Sequence, residues 1–352
     1  MFINGLSTAA PSTRYTQREC WEALQGAEPF MRLNSRSQAL LRKVLLGDNG
    51  IASRHMALEP LREAMNLTPD ALQQRFARHA PALAAQAAAG ALKDAGLNPD
   101  SVDAVIVSTC TGWVCPGLTT DVSERLGLRP DLLALDLVGQ GCGAALPNLR
   151  TAEALLVAQR CRTVLSVCVE VCSAAFYLDD DPGVLVSACL FGDGAGAALL
   201  GLSPNPNRRR IEWKTAASIL SPDDRHCLRF ERREGMLRNV LGRQVPDVAG
   251  KYAARLFTEV AARAGVGRGQ IAAWIVHGGG RDVLAALQAR MGLTDEDLRW
   301  SAAVLREYGN LSSASVYFVL QTALAGNAPG GLWWLSSFGA GFNCHGALLQ
   351  AD

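Results

Sequence analysis

Cys142 stands in Val138-Gly139-Gln140-Gly141-Cys142-Gly143-Ala144-Ala145, a glycine-rich turn between an apolar run and Ala-rich sequence. A cysteine between a strand and a helix puts its sulfur at a helix N-terminus. Unpaired N–H groups and the helix dipole there favour the thiolate. The flanking glycines permit a tight turn and let a substrate approach the backbone. The chemistry this suggests is nucleophilic: the sulfur takes an acyl group, and a backbone N–H of the turn steadies the oxyanion. The same turn also suits a buried structural cysteine, which is the expected role of most of the other nine.

A thiolate nucleophile wants a base or cation beside it. There are five histidines: His55, His79, His226, His277 and His345. His79 falls in a predicted amphipathic helix and His226 among charges in a loop. His277 follows Trp274-Ile275-Val276 and precedes Gly278-Gly279-Gly280. A strand end opening into a glycine loop is where α/β enzymes place chemistry. Asn310, in Tyr308-Gly309-Asn310-Leu311-Ser312-Ser313-Ala314-Ser315, has two readings. It caps a helix, or it offers an amide N–H to a developing enolate or oxyanion.

The elements that must position these residues are legible from spacing. Ser37 to Leu46 predicts a helix ending at Gly47, and Ala71 to Ala95 a longer one stopping at Gly96. Val102 to Val107, Leu132 to Val138 and Thr163 to Val169 are short apolar runs that suit strands buried on both faces. The chain also repeats itself weakly. VDAVIVSTCTG (from Val102) matches IAAWIVHGGG (from Ile271), so His277 stands where Ser108 stands in the first copy. Cys142 and Asn310 follow at similar distances, each in a turn that enters a helix. LFGDGAGAALLG (from Leu190) then matches SFGAGFNCHGALLQ (from Ser337). Three matches in one order predict a duplicated α/β architecture, residues 1–205 and 206–352, with the exposed Pro/Asn/Arg stretch near 203–210 as its seam. Cys142 and Asn310 then open matched helices whose ends should meet, with His277 beside them. Gly192-Asp193-Gly194-Ala195-Gly196 lacks phosphate-loop spacing and reads as a tight turn between strands.

Bulk properties narrow the class. The 352 residues carry a net charge of +1, with 49% hydrophobic and 19% charged residues. That balance gives no reason to expect nucleic acid, an acidic partner or a membrane anchor, and Arg208-Arg209-Arg210 reads as a solvated linker. Ten cysteines without a CxxC pair suggest neither a disulfide framework nor a zinc site. The start has no apolar signal region, and no run is long enough to span a bilayer. A reduced cytoplasmic enzyme without metal is the expectation.

The motifs GQGCGAA around Cys142, VHGGG around His277, YGNLSSAS around Asn310, CLFGDGAGAAL around Phe191 and the closing SFGAGF resemble those of the type III polyketide synthases. This is the chalcone synthase superfamily, with a thiolase-like fold of duplicated αβαβα layers. The resemblance runs in order from about residue 100 to the end, and more loosely before that through IASRHM. It implies an acyltransferase that works as a homodimer on CoA thioesters, malonyl-CoA and an acyl-CoA starter, with no cofactor. Cys142 would carry the starter and then the growing chain. His277 and Asn310 would hold the thioester carbonyl and the enolate left by decarboxylation of malonyl-CoA, and His277 would pair with the Cys142 thiolate. Phe191 would be the aromatic gate between CoA tunnel and reaction cavity. Cys115, Thr111 and Gly339 fall at positions implied to contact substrate, with Cys115 near the dimer interface. Arg42, Lys43 and Arg54 are the candidates for CoA phosphates.

Two departures stand out. The family's second gate aromatic, a few residues before Val245-Pro246, aligns at Asn239. Ala340 stands where chalcone synthases usually have proline. With STCTGWVCPGLTTDV, these place the chain nearest bacterial members such as the 3,5-dihydroxyphenylacetyl-CoA synthases, with alkylresorcinol and alkylpyrone synthases as competitors. A ketoacyl-ACP synthase III-like enzyme using a carrier protein, and an inactive scaffold homologue, are the alternative readings.

Overall fold

The computed structural model describes all 352 residues. Strand β1 (Phe2–Ala9) opens the chain. Strand β2 (Arg14–Thr16) pairs with β3 (Ser53–His55) around helices α1 (Gln17–Leu24), α2 (Glu28–Met31) and α3 (Ser35–Leu46). Helix α3 starts two residues before the expected Ser37 because Asn34 caps it, its side chain accepting from the Ser37 N–H at 2.9 Å. Helix α4 (Pro69–Ala95) ends as expected at Gly96, a left-handed cap with φ 68°.

The strands that follow are β4 (Ala104–Ser108), β5 (Leu133–Leu137), β6 (Thr163–Glu170) and β7 (Gly194–Gly201). Helices α5 (Leu118–Leu126), α6 (Ala145–Val157) and α7 (Pro182–Leu190) lie between them. β4 is buried on both faces: Ala104 and Ile106 enter one core, Val105 and Val107 another. β5 departs from expectation. It is the edge of the sheet, and Leu133, Ala134 and Asp136 are exposed. The GDGAG turn also differs, because it joins helix α7 to β7 rather than two strands.

Past the exposed stretch near 203–210 come β8 (Ile211–Leu220), the hairpin β9 (Leu228–Arg233) and β10 (Met236–Leu241), and helix α8 (Val245–Ala264). Then come β11 (Ile271–Val276), helices α9 (Arg281–Met291), α10 (Asp295–Tyr308) and α11 (Ser315–Ala325), and strands β12 (Gly331–Gly339) and β13 (Asn343–Ala351).

The large sheet has the order β11-β12-β13-β8-β1-β7-β6-β4-β5. Read outward from its centre, β8-β13-β12-β11 repeats β1-β7-β6-β4. In each run the first two pairings are antiparallel and the third is parallel. The two runs meet at one residue pair, Phe2 opposite Glu212. Helices α6 and α11 share the core between the runs. Helix α4 covers the far face of the first run, and α8 and α9 cover that of the second. These are the five αβαβα layers of a duplicated thiolase-like fold. No helix is long and apolar enough to cross a membrane.

Candidate active site

Each reactive residue sits where an element stops. β5 runs into the turn Gly139–Gln140, a single 3₁₀ turn carries Cys142, and α6 follows. Gly141 has φ 54°, which favours glycine, and a side chain there would meet the Ala340 amide at 2.7 Å. β11 ends at Val276, and His277 remains in register because its N–H donates to the Ser336 carbonyl at 2.9 Å. The turn after α10 carries Asn310, and Ser312–Ala314 form a 3₁₀ turn ahead of α11.

Cys142, His277 and Asn310 line one cavity of about 1020 Å³, together with Phe191 and Phe338. The starts of α6 and α11 meet there, and Ser312 Oγ donates to Cys142 Sγ at 3.2 Å. Asn310 is fixed on three sides. Its Nδ2 donates to the Gly279 carbonyl at 2.9 Å, its Oδ1 accepts from the Ser312 N–H at 2.8 Å, and its backbone N–H donates to the Leu190 carbonyl at 2.8 Å. One Nδ2 hydrogen remains for a ligand. Asn310 therefore combines a local turn bond with an amide turned to the cavity. The Gly192 N–H donates to the Asn310 carbonyl at 3.0 Å, so the backbone around Phe191 is tied to this residue.

A buried carboxyl group supports the floor. Glu170, at the end of β6, is fully buried. It accepts from the Cys110 N–H at 3.0 Å, from Thr111 Oγ1 at 2.8 Å, from Ser312 Oγ at 3.3 Å and from Ser313 Oγ. The Cys110 sulfur lies 3.2 Å from Ser312 Oγ, so one hydroxyl serves two thiols and a carboxyl. Burial raises the Glu170 pKa above the usual carboxylate value, while these donors pull it back. Ser312 itself has φ 51°, an uncommon conformation for a residue with a side chain.

Burial dominates the electrostatics of the site. Burial pushes the Cys142 thiol up to about 12, against the Ser312 hydrogen bond that lowers it. Burial alone drives His277 down to about 4. Both ring nitrogens of His277 lack a hydrogen-bond partner. Burial thus disfavours the charged form of both groups, the thiolate of Cys142 and the imidazolium of His277. Desolvation of both groups outweighs the helix terminus here. The ring of Phe338, 4.9 Å from that of His277, holds the imidazole in place.

The family profile for FAE1/type III polyketide synthase-like proteins matches residues 9–262, and that for the chalcone and stilbene synthase C-terminal domain matches residues 212–349. The chain belongs to the type III polyketide synthase family. It is 29% identical to a 3,5-dihydroxyphenylacetyl-CoA synthase of Streptomyces toyocaensis, over 99% of this chain and 89% of the relative. It is 31% identical to a 1,3,6,8-tetrahydroxynaphthalene synthase of Streptomyces peucetius subsp. caesius, over 99% of this chain and 92% of the relative. The crystal structure of PKS-I from the brown alga Ectocarpus siliculosus superposes with a TM-score of 0.90 at 25% identity, covering 99% of this chain and 98% of that one.

Within this polyketide synthase the remaining expected residues scatter. Phe191 borders both the large cavity and a smaller chamber of about 30 Å³ that Thr111 also lines. Gly339 lines neither. It lies where a Cβ would collide with the Gln140 carbonyl and the Gly143 amide, so its smallness lets β12 approach the nucleophile turn. Cys115 is exposed and also outside both cavities. Lys43 lines the mouth of the large cavity, whereas Arg42, one residue earlier on α3, points elsewhere. Arg54 is buried, its guanidinium donating to Gln17 Oε1 at 3.1 Å and to the Ala188 and Phe191 carbonyls at 2.9 and 3.1 Å. It braces the Phe191 turn from inside and does not reach the mouth. The basic residues that share the mouth with Lys43 are Arg36, Arg243 and Arg281, from α3, the loop after β10 and the start of α9. No sequence motif marks them; only folding collects them. No group of three or more His, Cys, Asp or Glu side chains is arranged to hold a metal ion.

Proposed function

We propose that Cys142, His277 and Asn310 carry out decarboxylative chain extension on CoA thioesters. The observation that carries this is their convergence on one 1020 Å³ cavity, whose exposed lining holds Arg36, Lys43, Arg243 and Arg281 beside Asp48, Asp180 and Asp282. The Cys142 sulfur attacks the carbonyl of an acyl-CoA. A carbon–sulfur bond forms, CoA leaves, and His277 moves the thiol proton to the departing sulfur. Malonyl-CoA then enters. Its bond to the carboxylate breaks, carbon dioxide leaves, and the electron pair stays as an enolate. Neutral His277 and the free Asn310 N–H each donate a hydrogen bond to the enolate oxygen. The enolate carbon attacks the Cys142 thioester, a carbon–carbon bond forms, and the Cys142 thiolate departs. The lengthened chain returns to Cys142 for another round, and cyclisation to an aromatic or pyrone product ends the sequence.

Phe191, as the gate, presents an apolar face that disfavours the malonyl carboxylate and promotes its loss. Arg36, Lys43 and Arg243 are the side chains available for CoA phosphates, while Arg281 is already paired with Asp282 and Asp48. The relatives' names make an aromatic product the leading class, and membership of the family makes malonyl-CoA the extender. Residues 1–205 and 206–352 form the two halves, one bringing the nucleophile and the other the histidine and asparagine.

A homodimer is part of this reading. β5 is the edge of the sheet, with Leu133 exposed and followed at its end by Val138 at 60% exposure. An open apolar edge is an aggregation liability unless it is covered. A second copy covering it would bury Cys115 at the interface as well. The cytoplasm is the compartment that suits ten free thiols.

The test is Cys142→Ala with malonyl-CoA, alone and with acyl-CoA starters, products identified by mass. Loss of all polyketide is expected. Product at the wild-type rate would end this mechanism. Running malonyl-ACP beside malonyl-CoA separates it from a carrier-dependent single condensation.

A further inference from the structure

Behind Phe191 lies the small chamber, and several of its polar side chains already have partners. Thr111 Oγ1 donates to Glu170 at 2.8 Å, Ser173 Oγ to Asp193 at 2.6 Å, and Ser312 Oγ to Cys142 at 3.2 Å. The Arg54 Nε and Nη1 groups are held by Gln17 and two backbone carbonyls. Asn239 is different. It lines the chamber, is 6% exposed, and its Oδ1 is buried without any hydrogen-bond partner. It is the one residue of the chamber wall with such an orphaned atom.

The placement is rigid. Asn239 sits opposite Phe230 in the β9–β10 hairpin. Side chains alternate along a strand, and the preceding Arg238 turns the other way. It donates to Asp179 at 2.7 Å, to Glu231 at 2.9 Å and to Asp181 at 3.0 Å. That cluster pins the hairpin from outside and leaves the Asn239 amide fixed toward the chamber. Ser312, on the same chamber, touches the Cys142 sulfur. A chain attached to Cys142 that passes Ser312 and Phe191 meets Asn239 on the chamber wall. A carboxamide presents an acceptor and a donor side by side. A β-dicarbonyl chain in its enol form presents the complementary hydroxyl and ketone oxygens.

We propose that Asn239 is a specificity-determining residue that hydrogen-bonds the growing poly-β-keto chain, its Oδ1 accepting from an enol hydroxyl and its Nδ2 donating to the neighbouring ketone. This rests on the proposed chain extension at Cys142. A buried acceptor left empty is unfavourable, so the site favours a chain that brings a hydroxyl to it. Volume decides the rest. About 30 Å³ exceeds the roughly 10–15 Å³ that one water requires. The chamber thus admits a small oxygen-bearing group, and reading that group governs whether a further extension follows.

The experiment compares wild type with Asn239→Leu, which keeps size and removes both hydrogen-bonding groups, and Asn239→Asp, which keeps the acceptor. Radiolabelled malonyl-CoA is the probe. Readouts are label on Cys142 in a single turnover, kcat for the full-length product, and the ratio of full-length to shorter released products. Asn239→Leu should load Cys142 within about twofold of wild type while full-length product falls on the order of tenfold, the size expected for one lost hydrogen bond. Shorter products should rise, and Asn239→Asp should recover part of the loss. An unchanged product ratio in Asn239→Leu would overturn the assignment. Equal losses of loading and extension in both variants would overturn it too, since that marks a structural role. If Asn239→Leu fails to fold, the product ratio of Asn239→Asp decides: a shift supports the assignment and an unchanged ratio overturns it. A wild-type enzyme that makes nothing from malonyl-CoA would instead sink the proposed chain extension itself.

Discussion

Ser312 donates its hydroxyl proton to the sulfur of Cys142 across 3.2 Å, although 170 residues separate them in the chain. This bond joins the starts of two helices from opposite ends of the sequence. It is also the leading influence that lowers the Cys142 pKa against burial. Ser312→Ala should therefore raise that pKa further and slow acyl loading at neutral pH, by roughly fivefold to tenfold for one hydrogen bond to a developing anion. Rapid-quench mass measurement of acyl-enzyme checks it, and an unchanged loading rate would remove Ser312 from the loading step.

The free enzyme should show no plateau of thiol reactivity near neutrality. With the thiol pKa at about 12, the thiolate fraction rises as pH rises and has not saturated at physiological pH. Iodoacetamide inactivation of the free enzyme should climb about tenfold per unit between roughly pH 7 and pH 9. A rate that levels off around pH 7 would mean that a thiolate–imidazolium pair dominates after all.

His277 is neutral above about pH 4 because burial disfavours its charged form. The kcat/KM profile should then carry no histidine inflection near the ordinary imidazole range. His277→Gln should keep a hydrogen-bond donor but lose the proton carrier. Loading should fall by about a hundredfold or more, the usual size of general acid–base assistance, and malonyl-CoA decarboxylation should fall less. Following carbon dioxide release separately from acylation tells the two apart. Equal losses would argue against distinct roles.

The mouth makes a prediction of contrasts. Lys43→Ala, Arg36→Ala and Arg243→Ala should each raise KM for malonyl-CoA several-fold, more at low salt than at high. Arg42→Ala, on the same helix but off the cavity, should leave KM unchanged. Uniform effects across all four would reduce the mouth to general positive charge.

The β5 edge predicts an assembly. Leu133→Lys together with Val138→Lys places charge on the exposed apolar residues of this edge and should convert a dimer to monomers in sedimentation velocity. A wild-type chain that sediments as a monomer would refute the dimer directly.

Much of this was legible because it is local. The strands Ala104–Ser108 and Ile271–Val276, the stop at Gly96 and the glycine turns around Cys142 and His277 follow from spacing alone. The family motifs then made Asn310 more than a helix cap. What spacing did not disclose is long-range. Glu170 looks like the polar end of a strand until five donors from two distant segments close on it. Arg54 reads as a surface cation until Gln17 and the Phe191 turn enclose it. The sequence of β5 suits a buried strand, and nothing local says that it forms the exposed edge of the sheet. The helix terminus at Cys142 is visible in sequence, whereas the depth of the thiol's burial is not.

The single pair at the centre of the sheet, Phe2 opposite Glu212, has a practical meaning. Every other strand finds its partners on its own side of the seam. A proteolytic nick between Pro204 and Asn207 would cut an exposed tether and leave every ladder intact, the two fragments gripping each other through α6 and α11. Neither fragment alone owns a complete catalytic set. The protein is in this sense a covalently linked heterodimer, and fragments expressed separately should regain activity only by finding each other.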